Sequence, residues 1–343
     1  MKTLITGGAG YIGSHTTLAL LEAGREVVVL DDFSNSSPDA LRRVGELAGR
    51  EVEVVEGDSG DRETLNKVFD RHGAFSAVIH FAAFKSVSES TEKPLAYYLN
   101  NVAGSITLLE VMEEYGARNF VFSSSCTVYG EPQAVPLRED HLTGQVSSPY
   151  GATKYMVEKI LSGLCAADSR WNAAILRYFN PVGAHPSALI GEDPLGKPEN
   201  LVPVICQVAT GKLDSLSIFG GDYSTLDGTC VRDYLHVVDL ADAHLKALDH
   251  LAKVDGLRTF NLGTGRGTTV LELVDAFERA TGQKIPRKVV QRRPGDVAEA
   301  WANPSLAKKV LGWEATRDLD EMMVDAWRWQ LENPQGHSRG SEE

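Results

Sequence analysis

Residues 3–13 read TLITGGAGYIG, a short apolar run followed directly by a glycine-rich turn. The run predicts a buried β-strand, and the residues after the turn, Ser14–Ala23, predict a helix. A G-x-G-x-x-G pattern between a strand and a helix indicates a dinucleotide-binding site. Its glycines permit a tight turn and a close approach of the backbone to a pyrophosphate, which the free amides at the helix N-terminus bind.

Strand-like runs alternate with helix-length segments through the first half of the chain. The runs are Thr3–Thr6, Glu26–Asp31, Val52–Glu56, Ala77–Phe81, Phe120–Ser123 and Ala173–Tyr178. Strands joined by crossover helices, such as the helix predicted for Ala103–Tyr115, form a parallel sheet, and strands covered on both faces are apolar throughout. The sequence therefore predicts an α/β fold with a Rossmann-type doubly wound parallel sheet.

The composition of the chain changes after residue 180, where segments rich in Pro and Gly begin. A chain of 343 residues also exceeds the size at which one hydrophobic core usually stops growing. We therefore expect a dinucleotide-binding domain over residues 1–180, a smaller α/β substrate-binding lobe over residues 181–335 and a flexible tail over residues 336–343. Helices are predicted in the lobe at Leu201–Thr210, Leu240–Leu251 and Val270–Thr281.

Composition excludes several classes of partner. The net charge of −13 argues against nucleic-acid binding, which depends on Lys and Arg displacing counterions. No uninterrupted apolar run is long enough to predict a membrane span. The first residues enter a strand at once, which argues against a signal peptide and favours a cytoplasmic protein. The four cysteines lie far apart, which argues against a zinc site and a disulfide framework, and no metal is expected.

The acidic residue that ends the second predicted strand bears on the choice of dinucleotide. Asp31 stands where a carboxylate accepts hydrogen bonds from the adenosine ribose, and it would repel a 2′-phosphate. Phe33, Ser34 and Asn35 follow, and none is an arginine that could pair with such a phosphate. The sequence therefore favours NAD over NADP. Asp58, after the third strand, either accepts from the adenine amino group or caps its own loop.

Tyr150 and Lys154 carry the clearest chemical signal in the chain. At i, i+4 spacing in a predicted helix, the phenol and the ammonium lie on one face. A free tyrosine has a pKa of about 10, so a phenolate base at neutral pH needs positive charge nearby, which Lys154 and an oxidised nicotinamide would supply. Ser125, at the end of a predicted strand, is placed to hydrogen-bond the hydroxyl that loses its proton.

Further motifs extend this signal over nearly the whole chain. They are Gly7–Gly13, Asp31–Ser36, His80–Ala83, Lys85–Val87, Phe122–Gly130, Ser148–Tyr150, Tyr178–Pro186 and Val231–Val237. Together they resemble the extended short-chain dehydrogenase/reductase family and, within it, the UDP-glucose 4-epimerases. The resemblance implies a retained NAD, a UDP-hexose substrate, a role in galactose metabolism and a homodimer.

The resemblance also implies roles for individual residues. Tyr150, Lys154 and Ser125 would be catalytic. The cofactor would be bound by Gly7, Gly10, Tyr11, Ile12, Gly13, Asp31, Asn35, Ser36, Asp58, Ser59, Phe81, Ala82, Ala83, Lys85, Asn100, Ser125, Tyr150, Lys154 and Phe179. The nucleotide sugar would be bound by Lys85, Ser125, Tyr150, Asn180, Asn200, Leu201, Ser217, Ile218, Phe219, Arg232, Arg293, Asp296 and Ala300.

Side-chain chemistry agrees with the nucleotide-sugar assignment. The planar guanidinium groups of Arg232 and Arg293 can donate paired hydrogen bonds to a diphosphate. The alternative for each arginine is an ordinary surface salt bridge. Phe219 is suited to pack on uracil, and Asp296 to accept from ribose hydroxyls.

The implied mechanism is oxidation of the sugar at C4, rotation of the 4-keto intermediate and its reduction on the other face. A nucleotide-sugar 4,6-dehydratase would share the first step but needs an acid/base carboxylate pair beside Ser125, where this chain has Cys126 and Thr127. A non-catalytic NAD-sensing protein on the same fold would be expected to lose the Tyr150 and Lys154 pair.

One departure from the family pattern concerns substrate range. Ala300 stands where epimerases restricted to unmodified hexoses have a bulky tyrosine. We hypothesise that the smaller side chain leaves space near the sugar C2 group, so that UDP-N-acetylglucosamine and UDP-N-acetylgalactosamine are also accepted. The alternative is that neighbouring side chains refill the gap.

Overall fold

The computed structural model describes residues 2–194, 196, 198–293 and 295–337. Of the predicted flexible tail, residues 338–343 lie outside the described residues. The strands are β1 (Lys2–Thr6), β2 (Glu26–Asp31), β3 (Glu53–Glu56), β4 (Ala77–His80), β5 (Asn119–Ser125), β6 (Asn172–Tyr178), β7 (Asn180–Val182), β8 (Leu216–Phe219), β9 (Val231–Arg232), β10 (Tyr234–His236), β11 (Gly256–Leu262), β12 (Thr268–Thr269), β13 (Arg287–Val290) and β14 (Glu299–Ala300).

The helices connect these strands and cover them. They are α1 (Tyr11–Glu22), α2 (Pro38–Ala48), α3 (Arg62–His72), α4 (Val87–Glu92), α5 (Pro94–Tyr97), α6 (Gly104–Glu114), α7 (Pro149–Ala167), α8 (Leu201–Ala209), α9 (Val237–Leu251), α10 (Val270–Thr281), α11 (Ser305–Leu311) and α12 (Leu319–Glu332). Among the described residues, every helix is too short or too polar to span a bilayer.

A seven-stranded parallel sheet in the order β11-β6-β5-β4-β1-β2-β3 forms the centre of the molecule. Alternate residues of its strands enter opposite cores: Ile5 and Val29 pack on one face, Leu4 and Val28 on the other. Helices α1, α2 and α9 cover the first face, and α3, α6 and α7 cover the second. The predicted Rossmann-type doubly wound sheet is therefore confirmed.

The chain after residue 180 builds three small sheets and also returns to the large one. The small sheets pair β7 with β10, β8 with β13, and β9 with β12 and β14. Helices α8, α10 and α12 enclose a third core around Ile205, Phe277 and Met323. In contrast, β11 pairs with β6 at the edge of the central sheet, and α9 packs on α1.

The helix predicted at Ala103–Tyr115 is observed as α6, and a π-helical turn, Tyr98–Ala103, precedes it. The wider turn places Asn100 and Asn101 beside the loop that follows β4, and Asn101 is buried. Single π-helical turns are rare and often occur at functional sites. This turn lies at the carboxyl edge of the sheet, where the site described next is built.

Candidate active site

The glycine turn after β1 has no room for side chains. Gly7 has a φ of +71°, and a Cβ placed on it would lie 2.6 Å from the amide nitrogen of Ala82. A Cβ on Gly13 would lie 2.2 Å from the carbonyl oxygen of Gly7. Gly10, the N-cap of α1, supplies no side-chain cap to the first amides of the helix. The turn is thus a close-fitting cradle that ends at an uncapped helix N-terminus, the arrangement that binds a pyrophosphate.

Asp31 ties this turn to the loop after β2. Its Oδ2 atom accepts from the amide of Ala9 at 2.8 Å, and its Oδ1 atom accepts from the Ser36 hydroxyl at 2.7 Å and the Phe33 amide at 3.0 Å. Burial raises the pKa of the Asp31 carboxyl, and these hydrogen bonds oppose the rise. The structure therefore places Asp31, Ser36 and the adjoining Asn35 beside the glycine turn, as a ribose-binding loop requires.

Asp58 caps its own loop, since its Oδ1 atom accepts from the amide of Gly60 at 2.7 Å. This was one of the two uses that the sequence allowed. Ser59 lies within the same short turn, between β3 and α3.

Asn101 holds the loop that carries Phe81–Ala83 and Lys85. Its Oδ1 atom accepts from the Phe84 amide at 2.8 Å, and its Nδ2 atom donates to the Phe84 carbonyl at 3.0 Å and to Thr153 Oγ1 at 3.1 Å. Asn100 donates to the same side chain at 2.9 Å. Sequence reasoning named Asn100 and missed Asn101, whose role depends on a π-helical turn that leaves no clear pattern in the sequence.

Tyr150, Lys154 and Ser125 meet at the carboxyl end of β5. Ser148 caps α7 by accepting from the amide of Gly151 at 3.1 Å, which starts the helix one residue before Tyr150. The Lys154 ammonium donates to the carbonyl of Ser123 at 2.7 Å and lies 5.9 Å from the centre of the Tyr150 ring. The Tyr150 hydroxyl interacts with the Ser125 side chain.

Burial moves the pKa values of this pair in opposite directions. It raises the pKa of Tyr150 to about 12, although the hydrogen bond with Ser125 opposes the rise. It lowers the pKa of Lys154 to about 7, against the attraction of Glu158. The phenol is therefore protonated at neutral pH, and added positive charge beside it favours proton loss. The arrangement suits a tyrosine that becomes a base only when a cationic cofactor is bound.

A buried ion pair supports the strand that carries Ser125. Arg177 donates to Glu158 through Nη2 at 2.6 Å and through Nε at 2.9 Å. The Ser124 hydroxyl donates to Glu158 at 2.6 Å, and Arg177 also donates to the Tyr129 hydroxyl at 3.0 Å. This pair was not predicted from the sequence, since Glu158 on α7 and Arg177 on β6 are 19 residues apart and no local spacing indicates their contact.

Arg232, Asp296, Arg293 and Phe219 lie on the segments after residue 180. Arg232 donates through Nη1 to the carbonyls of Val231 and Val297, both at 2.9 Å, and its Nη2 atom lies 3.5 Å from Asp296. The Arg293 guanidinium stands 3.9 Å from the centre of the Phe219 ring. Two guanidinium groups held by neutral carbonyls or stacked on an aromatic face retain donors for a diphosphate.

Glu192 joins two candidate site residues from different halves of the chain. Its Oε1 atom accepts from Asn200 Nδ2 at 2.5 Å and lies 3.4 Å from the ammonium of Lys85. The sequence analysis missed Glu192, because a single carboxylate in a Gly- and Pro-rich segment resembles an ordinary loop residue.

Tyr11 and Ile12 belong to the glycine turn, and Phe179 follows β6. The Tyr11 hydroxyl donates to the carbonyl of Gly183 at 2.7 Å, and burial raises its pKa. Ile12 packs against the first sheet core, and Phe179 is buried in a small cluster with Ala300.

The remaining candidates differ in what they can offer a ligand. Ile218 is buried in the third core, so its side chain does not face a cleft, while Ser217 and Leu201 are partly buried. Ala300 lies on β14 directly opposite Arg232 on β9. It packs in a cluster with Phe179 and with Val128 and Tyr129, which closely follow Ser125 in sequence. In the described part of the chain, no group of three or more His, Cys, Asp or Glu residues is placed to hold a metal ion.

Comparison with known proteins shows a family match that includes the residues described above. The model of the NAD dependent epimerase/dehydratase family matches residues 3–263, which hold the glycine turn, Asp31 and the Tyr150 centre. The chain belongs to this family. Membership establishes NAD as the cofactor and an enzymatic role, and it confirms the family predicted from the sequence motifs.

Relatives within the NAD dependent epimerase/dehydratase family match the chain over its full length. The UDP-glucose 4-epimerase of Mus musculus is 56% identical over 341 residues, which is 98% of each chain. A UDP-glucose 4-epimerase from Bifidobacterium longum, solved with NAD⁺ and UDP, is 46% identical with a TM-score of 0.95, covering 98% of this chain and 100% of that one. The enzyme from Stenotrophomonas maltophila, solved with NAD and formylated UDP-arabinopyranose, is 48% identical with a TM-score of 0.95, covering 98% and 99%.

Proposed function

We propose that this chain is an NAD-dependent epimerase that interconverts UDP-glucose and UDP-galactose at C4 of the hexose. The observation that carries the proposal is the buried centre of Tyr150, Lys154 and Ser125 at the end of β5, two strands along the sheet from β1, which leads into the glycine turn. The choice of substrate is supported by relatives named UDP-glucose 4-epimerase, such as one that is 56% identical over 98% of the chain. The 4,6-dehydratase reading is not favoured, because the neighbours of Ser125 are Cys126 and Thr127.

The residues present fit an NAD molecule. The glycine cradle would hold the pyrophosphate, and Asp31 with Asn35 and Ser36 would hold the adenosine ribose. Lys154 is buried and has a single hydrogen bond to a carbonyl among the described contacts, so its remaining N–H groups would reach ribose hydroxyls. When bound, the oxidised nicotinamide supplies a hydride acceptor for the sugar C4 and a positive charge near Tyr150.

The chain's own groups then manage the proton. Tyr150 accepts the proton of the C4 hydroxyl, and Ser125 hydrogen-bonds the oxygen while it changes charge. Lys154 stabilises the phenolate form. In the reverse transfer Tyr150 returns the proton to the oxygen of the 4-keto sugar, so the enzyme ends each cycle unchanged.

In this proposal most of the binding energy comes from contacts to the nucleotide, away from the reacting carbon. Arg232 and Arg293 would hold the diphosphate, Phe219 would pack on uracil, and Asp296 would accept from the ribose. Asn180, Asn200 and Leu201 border the same region in our assignment. Because the hexose must turn over between the two transfers, firm contacts to it would slow the reaction.

Incubation of the purified protein with UDP-galactose, without added reductant, tests the proposal. We expect UDP-glucose to form, resolved by chromatography of the C4 epimers, and the Tyr150→Phe variant to retain NAD but lose most turnover. Accumulation of a 4-keto-6-deoxy sugar would instead establish a dehydratase. Absence of turnover even with added NAD would leave another substrate or a non-catalytic NAD-sensing role.

Activity on N-acetylated substrates is a second candidate that Ala300 favours. Ala300 is 8% exposed and lies opposite Arg232, in a cluster with Val128 and Tyr129, which closely follow Ser125 in sequence. We expect the wild type to epimerise UDP-N-acetylgalactosamine. Ala300→Tyr should suppress that activity and spare UDP-galactose turnover, whereas Glu299→Gln, at the neighbouring and partly exposed residue of β14, is a control for disturbance of the strand. Unchanged N-acetyl turnover in Ala300→Tyr would contradict the hypothesis.

A homodimer is proposed from an apolar surface on α5, the π-helical turn, α6 and α7. Leu95, Leu99, Ile106 and Met156 are 76%, 68%, 39% and 41% exposed. Apolar side chains grouped in this way favour a self-association surface. We expect sedimentation to give a dimer mass and Leu99→Glu to give a monomer. Leu226→Glu, at a 93% exposed site in a separate loop, should leave the dimer intact.

Domain organisation and cellular role are also proposals. Residues 1–180 would carry the cofactor and residues 181–335 the nucleotide sugar, with β11 and α9 contributed by the second segment to the first. The four free cysteines support a cytoplasmic location, and the similarity to UDP-glucose 4-epimerases supports a role in galactose metabolism. Growth of a deletion strain on galactose, with fractionation of the tagged protein, would test both parts of that role.

A further inference from the structure

Asp233 is a fully buried carboxylate that lies between the end of β9 and the start of β10. The proposed mechanism assigns it no role. Its Oδ1 atom accepts from the amide of Thr264 at 2.8 Å and from its hydroxyl at 2.7 Å. Its Oδ2 atom accepts from the amides of Gly265 and Ala302, both at 3.1 Å. Among the described ion pairs it has no cationic partner, so neutral donors alone compensate its burial.

These contacts connect segments that are far apart in sequence. The carbonyl of Asp233 accepts from the amide of Asn180 at 3.0 Å, at the start of β7. Arg232 precedes it on β9, and the Oδ2 contact holds Ala302, two residues beyond Ala300 on β14. One residue therefore touches the strand ends that carry three candidate nucleotide-sugar residues.

The fit around the carboxylate is tight. A Cβ placed on Gly263 would lie 2.5 Å from Asp233 Oδ2 and 2.6 Å from the Cβ of Ala302. Burial raises the pKa of Asp233, and the hydrogen bonds from Thr264, Ala302 and Gly265 oppose the rise. Because both oxygens accept two bonds each, an amide in this place would turn its NH₂ group either towards the N–H groups of Gly265 and Ala302 or towards the N–H group and hydroxyl of Thr264.

We propose that Asp233 is a positioning residue for nucleotide-sugar binding, which sets the spacing between Asn180, Arg232 and Ala300 without touching the substrate. This inference rests on the proposed function. It makes UDP-sugar affinity depend on a carboxylate that faces away from the ligand. The catalytic centre of Tyr150 and Lys154 is held by other contacts, so the chemical step and cofactor retention should be unaffected.

Asp233→Asn tests the proposal, and Asp239→Asn is its control. Asp239 is also buried and also accepts from two amides and a threonine hydroxyl, those of Thr316 and Arg317, each at 3.0 Å. Unlike Asp233, it also forms an ion pair with the Arg317 guanidinium, so its replacement should cost at least as much stability. It joins α9 to the segment before α12 and contacts none of the candidate substrate residues in the described contacts.

We expect Asp233→Asn to raise the KM for UDP-galactose and the Kd for UDP by about tenfold or more, because buried donors lose their acceptor. Its kcat and bound NAD should stay within about twofold of wild type. Asp239→Asn should lower the melting temperature and leave both constants unchanged. If Asp233→Asn alters stability alone, or lowers kcat at constant KM, Asp233 is a structural residue and the proposal is wrong.

If Asp233→Asn does not fold, a pair of less disruptive variants tests the positioning role of Asp233. Thr264→Val removes one donor from Asp233, and Thr316→Val removes the equivalent donor from Asp239. A rise in the UDP Kd confined to Thr264→Val supports the proposal, and equal Kd values in both variants overturn it. Wild-type protein that binds UDP but does not epimerise UDP-galactose would contradict the proposed function, while the Kd comparison would still test Asp233.

Discussion

Replacement of Arg177 by methionine is expected to lower the free energy of unfolding by about 3–5 kcal/mol, the usual cost of leaving one partner of a buried ion pair alone. Arg177 and Glu158 are 6% and 5% exposed and are joined by bonds of 2.6 and 2.9 Å. Without Arg177 the Glu158 carboxylate keeps a single described donor, the Ser124 hydroxyl. Most of the loss should therefore come from a buried charge that keeps only this hydrogen bond and the attraction of Lys154.

The size of the protein converts this loss into a melting shift. A chain of 343 residues has an unfolding entropy of about 0.7 kcal/mol per kelvin, so the melting temperature should fall by about 4–7 °C. Urea unfolding followed by circular dichroism, with excess NAD present, gives the free energy directly. Removing both charges in Arg177→Met/Glu158→Met should recover most of it, because well-packed apolar residues often replace buried pairs without loss.

An exposed pair is the control. Arg42 and Glu46 form an ion pair on α2 with side chains 55% and 53% exposed. Arg42→Met should leave the free energy of unfolding nearly unchanged, because solvent screens an exposed pair. If Arg177→Met costs no more than Arg42→Met, or if the double variant is as unstable as the single one, the account of Arg177 as a charge-compensating residue is refuted.

Three further predictions concern the cofactor site, the base and acid stability. Gly7→Ala should reduce the NAD retained on purification, measured by absorbance after denaturation, because φ is +71° and the added Cβ meets backbone at 2.6 Å; full retention would argue against the cradle. Tyr150→Phe should lower kcat by about 10²–10⁴-fold at unchanged UDP affinity, and a smaller loss would exclude it as the base. Burial lowers the pKa of His15 and His80 to about 3 and that of His244 to about 4, so the unfolded chain binds more protons below pH 6.5. Stability should then fall with acidification at about 1.4 kcal/mol per pH unit for each histidine, and a flat profile between pH 6 and pH 4 in urea titrations would contradict this.

Strands such as β2 and β4 could be predicted from the sequence because they are runs of apolar residues. The predicted strand at Glu26–Asp31 has the observed bounds, and the helix predicted at Val270–Thr281 does as well, where Thr269 and Glu272 form a capping box. Helix α12 begins with a similar box at Asp318, a signal that the sequence analysis did not use. Local residue patterns were therefore sufficient to predict those helices and strands whose bounds depend on their own segment.

Long-range partners were the part that sequence could not supply. The position of β11 at the edge of the sheet depends on pairing with β6, and the contacts of Asn101, Glu192 and Arg177 join residues far apart in the chain. No residue pattern within one segment encodes such a partner. The Tyr150 centre was different, because Tyr150 and Lys154 share one helix turn and Ser125 ends a strand that was itself predicted.

The late arrival of β11 has a consequence for synthesis on the ribosome. β6 is complete at Tyr178, but its outer edge gains its partner only when Gly256–Leu262 has left the exit tunnel. At about 5–20 residues per second the edge stays open for several seconds, a period in which another nascent chain can pair with it. Slow stretches of translation between these two strands would lengthen that exposure, whereas a chaperone that shields β6 would shorten it in effect.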